Sequence, residues 1–95
     1  MGELLSDGQV AEFCQGHVRW QRAGDSLVAE VKAPTFLEGI DYVTAVAQAA
    51  EEMDHHPDID IRWRRLHLDL STHSAGSRIT DLDVALATRI DAIVD

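Results

Sequence analysis

Apolar residues in this chain recur at two different periods, and the switches between them mark out seven elements. Ser6 followed three residues later by Gln9 has the spacing of a capping box, and Val10, Phe13 and Cys14 give the following helix one apolar side. That helix is expected to end near Gly16. From His17 to Arg22 the period drops to two, with Val18 and Trp20 alternating with polar residues. Ala23-Gly24-Asp25 is a turn signal leading into Leu27 to Lys32, so this pair of segments reads as a β-hairpin.

Pro34-Thr35 opens the longest element. Thr35 and Glu38 repeat the capping-box spacing, while Phe36, Ile40, Val43, Ala47 and Ala50 recur at intervals of three and four and predict the inner stripe of a helix. Leu37, Ala45, Val46, Ala49 and Met53 widen its apolar surface, which implies either a broad core contact or a second face turned to another subunit. Pro57 disfavours helical geometry at His56, so the helix should finish at or just before His55. Ile59, Ile61 and Trp63, then Leu66, Leu68, Leu70 and Thr72, alternate with polar residues and predict two strands joined at Arg64-Arg65. Thr80 with Asp83 three residues on starts a last helix, whose inner face is Leu82, Leu86, Ile90 and Ile93. The order is αββαββα, and the expected fold is α+β: a four-stranded antiparallel sheet packed with three helices, forming a single domain over residues 1–95.

Composition narrows the function. A chain of 95 residues with 45% apolar content builds one modest core, for which an oligomer interface is a common source of extra stability. Eight Lys and Arg against 17 Asp and Glu give a formal net charge of -9, which repels a phosphate backbone and argues against direct nucleic-acid binding. Arg62, Arg64 and Arg65, the dense basic cluster, read as a solvated turn. Cys14 is the sole cysteine, excludes an intramolecular disulfide or a Cys-based zinc site, and reads as a small buried apolar residue. With no apolar run near ~20 residues and no basic leader, a soluble, cytoplasmic protein without a membrane segment is expected.

The candidate chemistry lies between Glu51 and Asp83. This stretch holds His55-His56-Pro57, Trp63 and His73 between two carboxylates, the group inventory of a proton-transfer site, because imidazole exchanges protons near neutral pH without special tuning. Adjacent side chains on a helix point about 100° apart, so a His-His pair alone cannot face one substrate atom. Pro57 changes this by ending the helix between the two rings, which lets them reach one cleft from different directions. The helix C-terminus favours the imidazolium form, as an acid requires. His73, near the end of the fourth strand, can close the cleft from a third side.

These residues resemble the pterin-4a-carbinolamine dehydratases. The resemblance covers nearly the whole chain and is most specific in Glu51-x3-His55-His56-Pro57-x5-Trp63-x9-His73-x9-Asp83, with Asp58 to Arg62 and Leu70-Ser71-Thr72-His73 similar to bacterial members. It implies an α+β fold, assembly into homodimers or homotetramers, and dehydration of a 4a-hydroxytetrahydropterin to the quinonoid dihydropterin. In the family this recycles the tetrahydropterin used by aromatic amino acid hydroxylases, the implied pathway partners, with no metal and no organic cofactor. Carried over by position, the catalytic set is His55 and His73 for proton transfer and His56 for holding and polarising the pterin. Asp54, His55, His56, Ser71, Thr72, His73 and Ser74 would line the substrate site, supported by Glu51, Trp63 and Asp83. Asp83 can also serve as a capping carboxylate, Glu51 can be an exposed helix residue, and Trp63 can be core on an alternating strand. His17 and His67 fall outside the motif and read as partly exposed structural histidines.

Two other functions compete. Some relatives of this kind act as dimerisation partners of a transcription factor or as RuBisCO assembly factors, which makes a binding protein on the same scaffold the alternative. A metal site built from His55, His56 and His73 with Asp83 or Glu51 has suitable residue types, but its spacing matches no standard metal motif. The chain also departs from the family pattern: where many members have Gly-Gly after the third histidine, it has Ala75-Gly76-Ser77-Arg78. Ser77 and Arg78 resist backbone conformations that glycine permits, which draws attention to the mouth of the pocket.

Overall fold

The computed structural model describes residues 2–95, and the helix starts in it fall where the capping signals place them. Ser6 and Gln9 complete a reciprocal capping box at α1 (Asp7–Gly16), and Thr80 and Asp83 complete another at α3 (Asp81–Val94). At α2 (Phe36–Met53) Thr35 accepts from the Glu38 N–H without the reciprocal bond. Between the helices lie the hairpins β1 (Trp20–Ala23) with β2 (Ser26–Lys32), and β3 (Asp58–Arg62) with β4 (Arg65–Leu70). The fold is α+β in the order αββαββα, and the sheet runs β1-β2-β4-β3 with every neighbouring pair antiparallel.

The period-two pattern sets the two faces of the sheet. Leu27, Ala29 and Val31 on β2 and Leu66, Leu68 and Leu70 on β4 point inward, where they form one apolar cluster with Val10, Val46, Ala49, Leu86, Ala87 and Ile90 of the helices. Glu30, Lys32, Arg65 and His67 occupy the opposite, exposed face. No helix among the described residues is long and apolar enough to cross a membrane.

Four local expectations are corrected. Strand β1 begins only at Trp20, because His17 to Arg19 make a turn closed by the Trp20 N–H donating to the His17 carbonyl at 2.9 Å; Val18 is 87% exposed. The β3–β4 turn is Trp63-Arg64 rather than Arg64-Arg65, as the pairing of Arg62 with Arg65 shows. Trp63 therefore leaves the strand, adopts φ 54° and is 70% exposed instead of entering the core. Arg64 stacks over its ring at 4.7 Å and donates to the Pro34 carbonyl at 3.1 Å, while Arg62 and Arg65 are solvated.

The third correction concerns the inner face of α2: Ala50 of the expected stripe is buried and Val43 packs partly against the core, with Gly39, Val46 and Ala49 also buried, whereas Phe36 and Ala47 are exposed. Gly39 is the buried residue of the first turn. A Cβ at this position would lie 3.4 Å from both Ala33 Cβ and Ile61 Cδ1, so glycine lets the helix settle closely on the sheet edge. Phe36, Leu37 and Ala47 are left exposed on the outer face. Fourth, Cys14 is only half-buried; desolvation still pushes its thiol up, against the attraction of Arg22.

Candidate active site

Helix α2 ends in a Schellman arrangement that aims the first histidine. Asp54 takes the left-handed conformation (φ 50°, ψ 44°), its N–H donates to the Glu51 carbonyl, and the His55 N–H donates to the Ala50 carbonyl at 3.0 Å. The chain then turns through Pro57 into β3, leaving His55 buried and His56 exposed. On the other side, β4 stops at Leu70 and a 3-10 turn, His73–Ala75, carries the third histidine. His73 thus stands beyond the strand end, exposed at the cavity rim.

One cavity of about 240 Å³ is lined by Asp54, His55, His56, Ser71, Thr72, His73, Ser74 and Leu82. All seven residues expected to line a substrate site are brought together there, and Leu82 is an addition. A half-buried leucine on the first turn of α3 gave no chemical signal in the sequence; only the approach of α3 to the cavity reveals it. Other depressions are larger, of about 430 Å³ beside His17 and Asp91, about 350 Å³ beside Glu52 and Arg89 and about 300 Å³ beside His67, but none of these has more than one imidazole on its wall.

Behind the cavity, His55 Nε2 lies 2.7 Å from Asp83 Oδ1. Both side chains are withdrawn from water, at 8% and 0% exposure, so the carboxylate holds the ring in a fixed orientation. Asp83 also caps α3, its Oδ2 accepting the Thr80 N–H at 2.9 Å and the Thr72 hydroxyl at 2.8 Å. The capping and ring-holding geometries coexist in one side chain. His56 Nε2 pairs with Glu51 Oε2 in solvent, where both groups are exposed. Because the two Nε2 atoms turn to different carboxylates, the paired histidines do not converge their Nε2 atoms on a shared metal position.

Trp63 is the one expected site residue that stands apart. It lies at the opposite end of the β3–β4 hairpin from the cavity, beyond the Arg62–Arg65 pair. The Gly-Gly departure is resolved in the backbone: Gly76 has φ 73° and Ser77 has φ 58°, so a serine occupies a left-handed position that glycine takes without a Cβ clash. The resulting loop is closed by the Ser77 and Ala75 N–H groups donating to the Thr72 carbonyl.

Residues 3–93 match the family model described as pterin 4 alpha carbinolamine dehydratase. The chain belongs to this family. A relative from Mycobacteroides abscessus, named "Putative pterin-4-alpha-carbinolamine dehydratase", is 53% identical over 88 residues, covering 93% of each chain. Among solved structures, the transcriptional coactivator/pterin dehydratase from Brucella melitensis superposes with a TM-score of 0.92 at 25% identity, covering 98% of this chain and 100% of that one. A pterin dehydratase-like protein identified as a RuBisCO assembly factor in the alpha-carboxysome shares the fold at a TM-score of 0.64 and 22% identity, covering 80% of this chain and 87% of that one. Within the pterin 4 alpha carbinolamine dehydratase family, the motif histidines of this member therefore come with a measurable geometry rather than a spacing alone.

Proposed function

We propose that the protein dehydrates a 4a-hydroxytetrahydropterin to the quinonoid dihydropterin by histidine acid-base catalysis, in recycling of a tetrahydropterin cofactor. The observation that carries this reading is the convergence of His55, His56 and His73 on one cavity with Asp83 behind His55. With Asp83 on Nε2, His55 presents Nδ1 as its exchanging atom. Nδ1 takes the N5 proton of the substrate, and the carboxylate balances the imidazolium that forms. His73, which has no side-chain hydrogen bond among the described residues, stands exposed at the rim and protonates the departing C4a hydroxyl. The N5 lone pair becomes the new C4a–N5 π bond as the C4a–O bond breaks and water leaves. His56, steadied by Glu51, holds and polarises the pterin.

Each proton-transfer residue contributes about 10²- to 10⁴-fold in rate. Stopped-flow absorbance with chemically generated 4a-hydroxytetrahydropterin tests the proposal: micromolar protein accelerates loss of the substrate over the spontaneous reaction. No acceleration, with a stoichiometric protein partner on purification, would replace it with the binding or assembly role, for which the exposed Phe36, Leu37 and Trp63 offer surface.

A further inference from the structure

Behind the Asp83–His55 pair lies a chain of hydroxyls whose hydrogen positions can be deduced by counting. Thr80 Oγ1 accepts the Leu82 N–H at 3.2 Å and lies 2.6 Å from Thr72 Oγ1, which lies 2.8 Å from Asp83 Oδ2. Thr72, Thr80 and Asp83 are at most 2% exposed, so water does not compete for these atoms. An ionised carboxylate has no hydrogen to give, and each hydroxyl has one. Thr72 must therefore donate to Asp83, and Thr80 must donate to Thr72. Asp83 Oδ2 receives two donors, Thr72 O–H and Thr80 N–H, which hold the negative charge on the carboxylate. Its Oδ1 can then only accept, so the proton shared with His55 belongs to Nε2.

We infer that Thr72 and Thr80 are positioning residues that fix the tautomer of His55: their hydroxyls link the N-terminus of α3 to Asp83 and keep the ring in the Nε2–H form, with Nδ1 free for the cavity. In the competing arrangement Asp83 Oδ1 carries a proton taken up from solvent and donates it to Nε2, and the ring is left as Nδ1–H with its lone pair facing the carboxyl instead of the cavity. That arrangement carries one proton more, on the carboxyl, so the two donors on Oδ2, which favour the ionised carboxylate, weigh against it at a given pH. His56 is engaged by Glu51, and no other described side chain takes up His55 Nδ1. The inference gains its catalytic meaning from the proposed dehydratase chemistry, but the tautomer itself can be measured without turnover.

The experiment is ¹⁵N NMR of the histidine rings on the intact protein near neutral pH. Wild type is expected to give a single Nε2–H pattern for His55. Thr72→Val keeps the shape but removes a hydrogen bond to a charged group, and should move the tautomer ratio toward Nδ1–H by about 10-fold or more. Thr72→Ser should restore the wild-type spectrum, and in the stopped-flow assay Thr72→Val should lower kcat with little change in KM. A Thr72→Val protein that folds and still shows the single Nε2–H pattern overturns the inference, since a packing role alone would lower stability and leave the tautomer unmoved. Should Thr72→Val not fold, wild type decides. Slowly exchanging Thr72 and Thr80 hydroxyl protons, with the Nε2–H ring, support the chain, whereas an Nδ1–H ring overturns it whether or not the protein is a dehydratase.

Discussion

His55 and Asp83 meet edge to carboxylate at 2.7 Å, joining the C-terminal end of α2 to the N-terminal turn of α3. The pair is buried, so removing the carboxylate leaves an imidazole with neither orientation nor charge balance. Asp83→Asn should reduce kcat by at least about 10²-fold, and His55→Ala and His73→Ala by about 10²- to 10⁴-fold each. Single-turnover absorbance of the variants, with circular dichroism to verify folding, checks all three.

Ser77 holds φ 58°, a conformation that costs a residue with a Cβ about 1–2 kcal/mol. Glycine removes that clash but gains entropy in the unfolded chain, which offsets part of the benefit. Ser77→Gly is expected to stabilise the fold by up to about 1 kcal/mol, read as an increase in Tm.

Asp91 is the hub of a second cluster, accepting from His17 Nδ1 at 3.1 Å, Arg19 at 2.6 Å and Trp20 Nε1 at 3.0 Å. Burial pushes its carboxyl up, but the hydrogen bonds from Arg19, His17 and Trp20 outweigh it, leaving the folded pKa below the ordinary value. A depressed carboxyl stabilises the fold fully above its unfolded pKa, about 3.9, and loses that contribution as the pH falls through the lower folded pKa. Asp91→Ala should therefore destabilise the protein by about 1–3 kcal/mol at neutral pH. The difference from wild type should shrink below about pH 4, as urea titrations at pH 7 and pH 3 would reveal.

Helix α2 is apolar on two sides, and Leu37 at 74% and Phe36 at 47% exposure lie on the side away from the sheet. A small domain seldom leaves such residues uncovered along one helix without a partner surface. Sedimentation velocity is expected to give a homodimer or homotetramer, and Phe36→Glu with Leu37→Glu should shift it toward the monomer.

The sequence was legible wherever one residue type has one local use. Ser6 and Thr80 announced helix starts, Pro57 announced that α2 stops before His55, and the alternation from Leu66 to Leu70 announced the inner face of β4. Trp63 misled because it continues the alternation of Ile59 and Ile61, and apolar period alone cannot locate where a strand turns. On α2 Gly39 escaped notice because it contributes nothing to an apolar count, although it is buried close to Ala33 and Ile61. At the site, the cavity residues were legible from the motif, whereas the Thr72–Thr80 contact and Leu82 depend on how α3 packs across the end of β4.

The left-handed residue at Asp54 has a mechanical meaning. Because the His55 N–H is bonded back to the Ala50 carbonyl, the ring is clamped to the last turn of α2 and travels with it. An 18-residue helix is a rod of roughly 27 Å, with Phe36 and Leu37 at one tip and the histidine clamp at the other. The same ring is bonded to Asp83 at the start of α3, so its place depends on how the ends of two helices sit against each other. The exposed apolar tip and the histidine clamp therefore stand at opposite ends of one helix and share no residue.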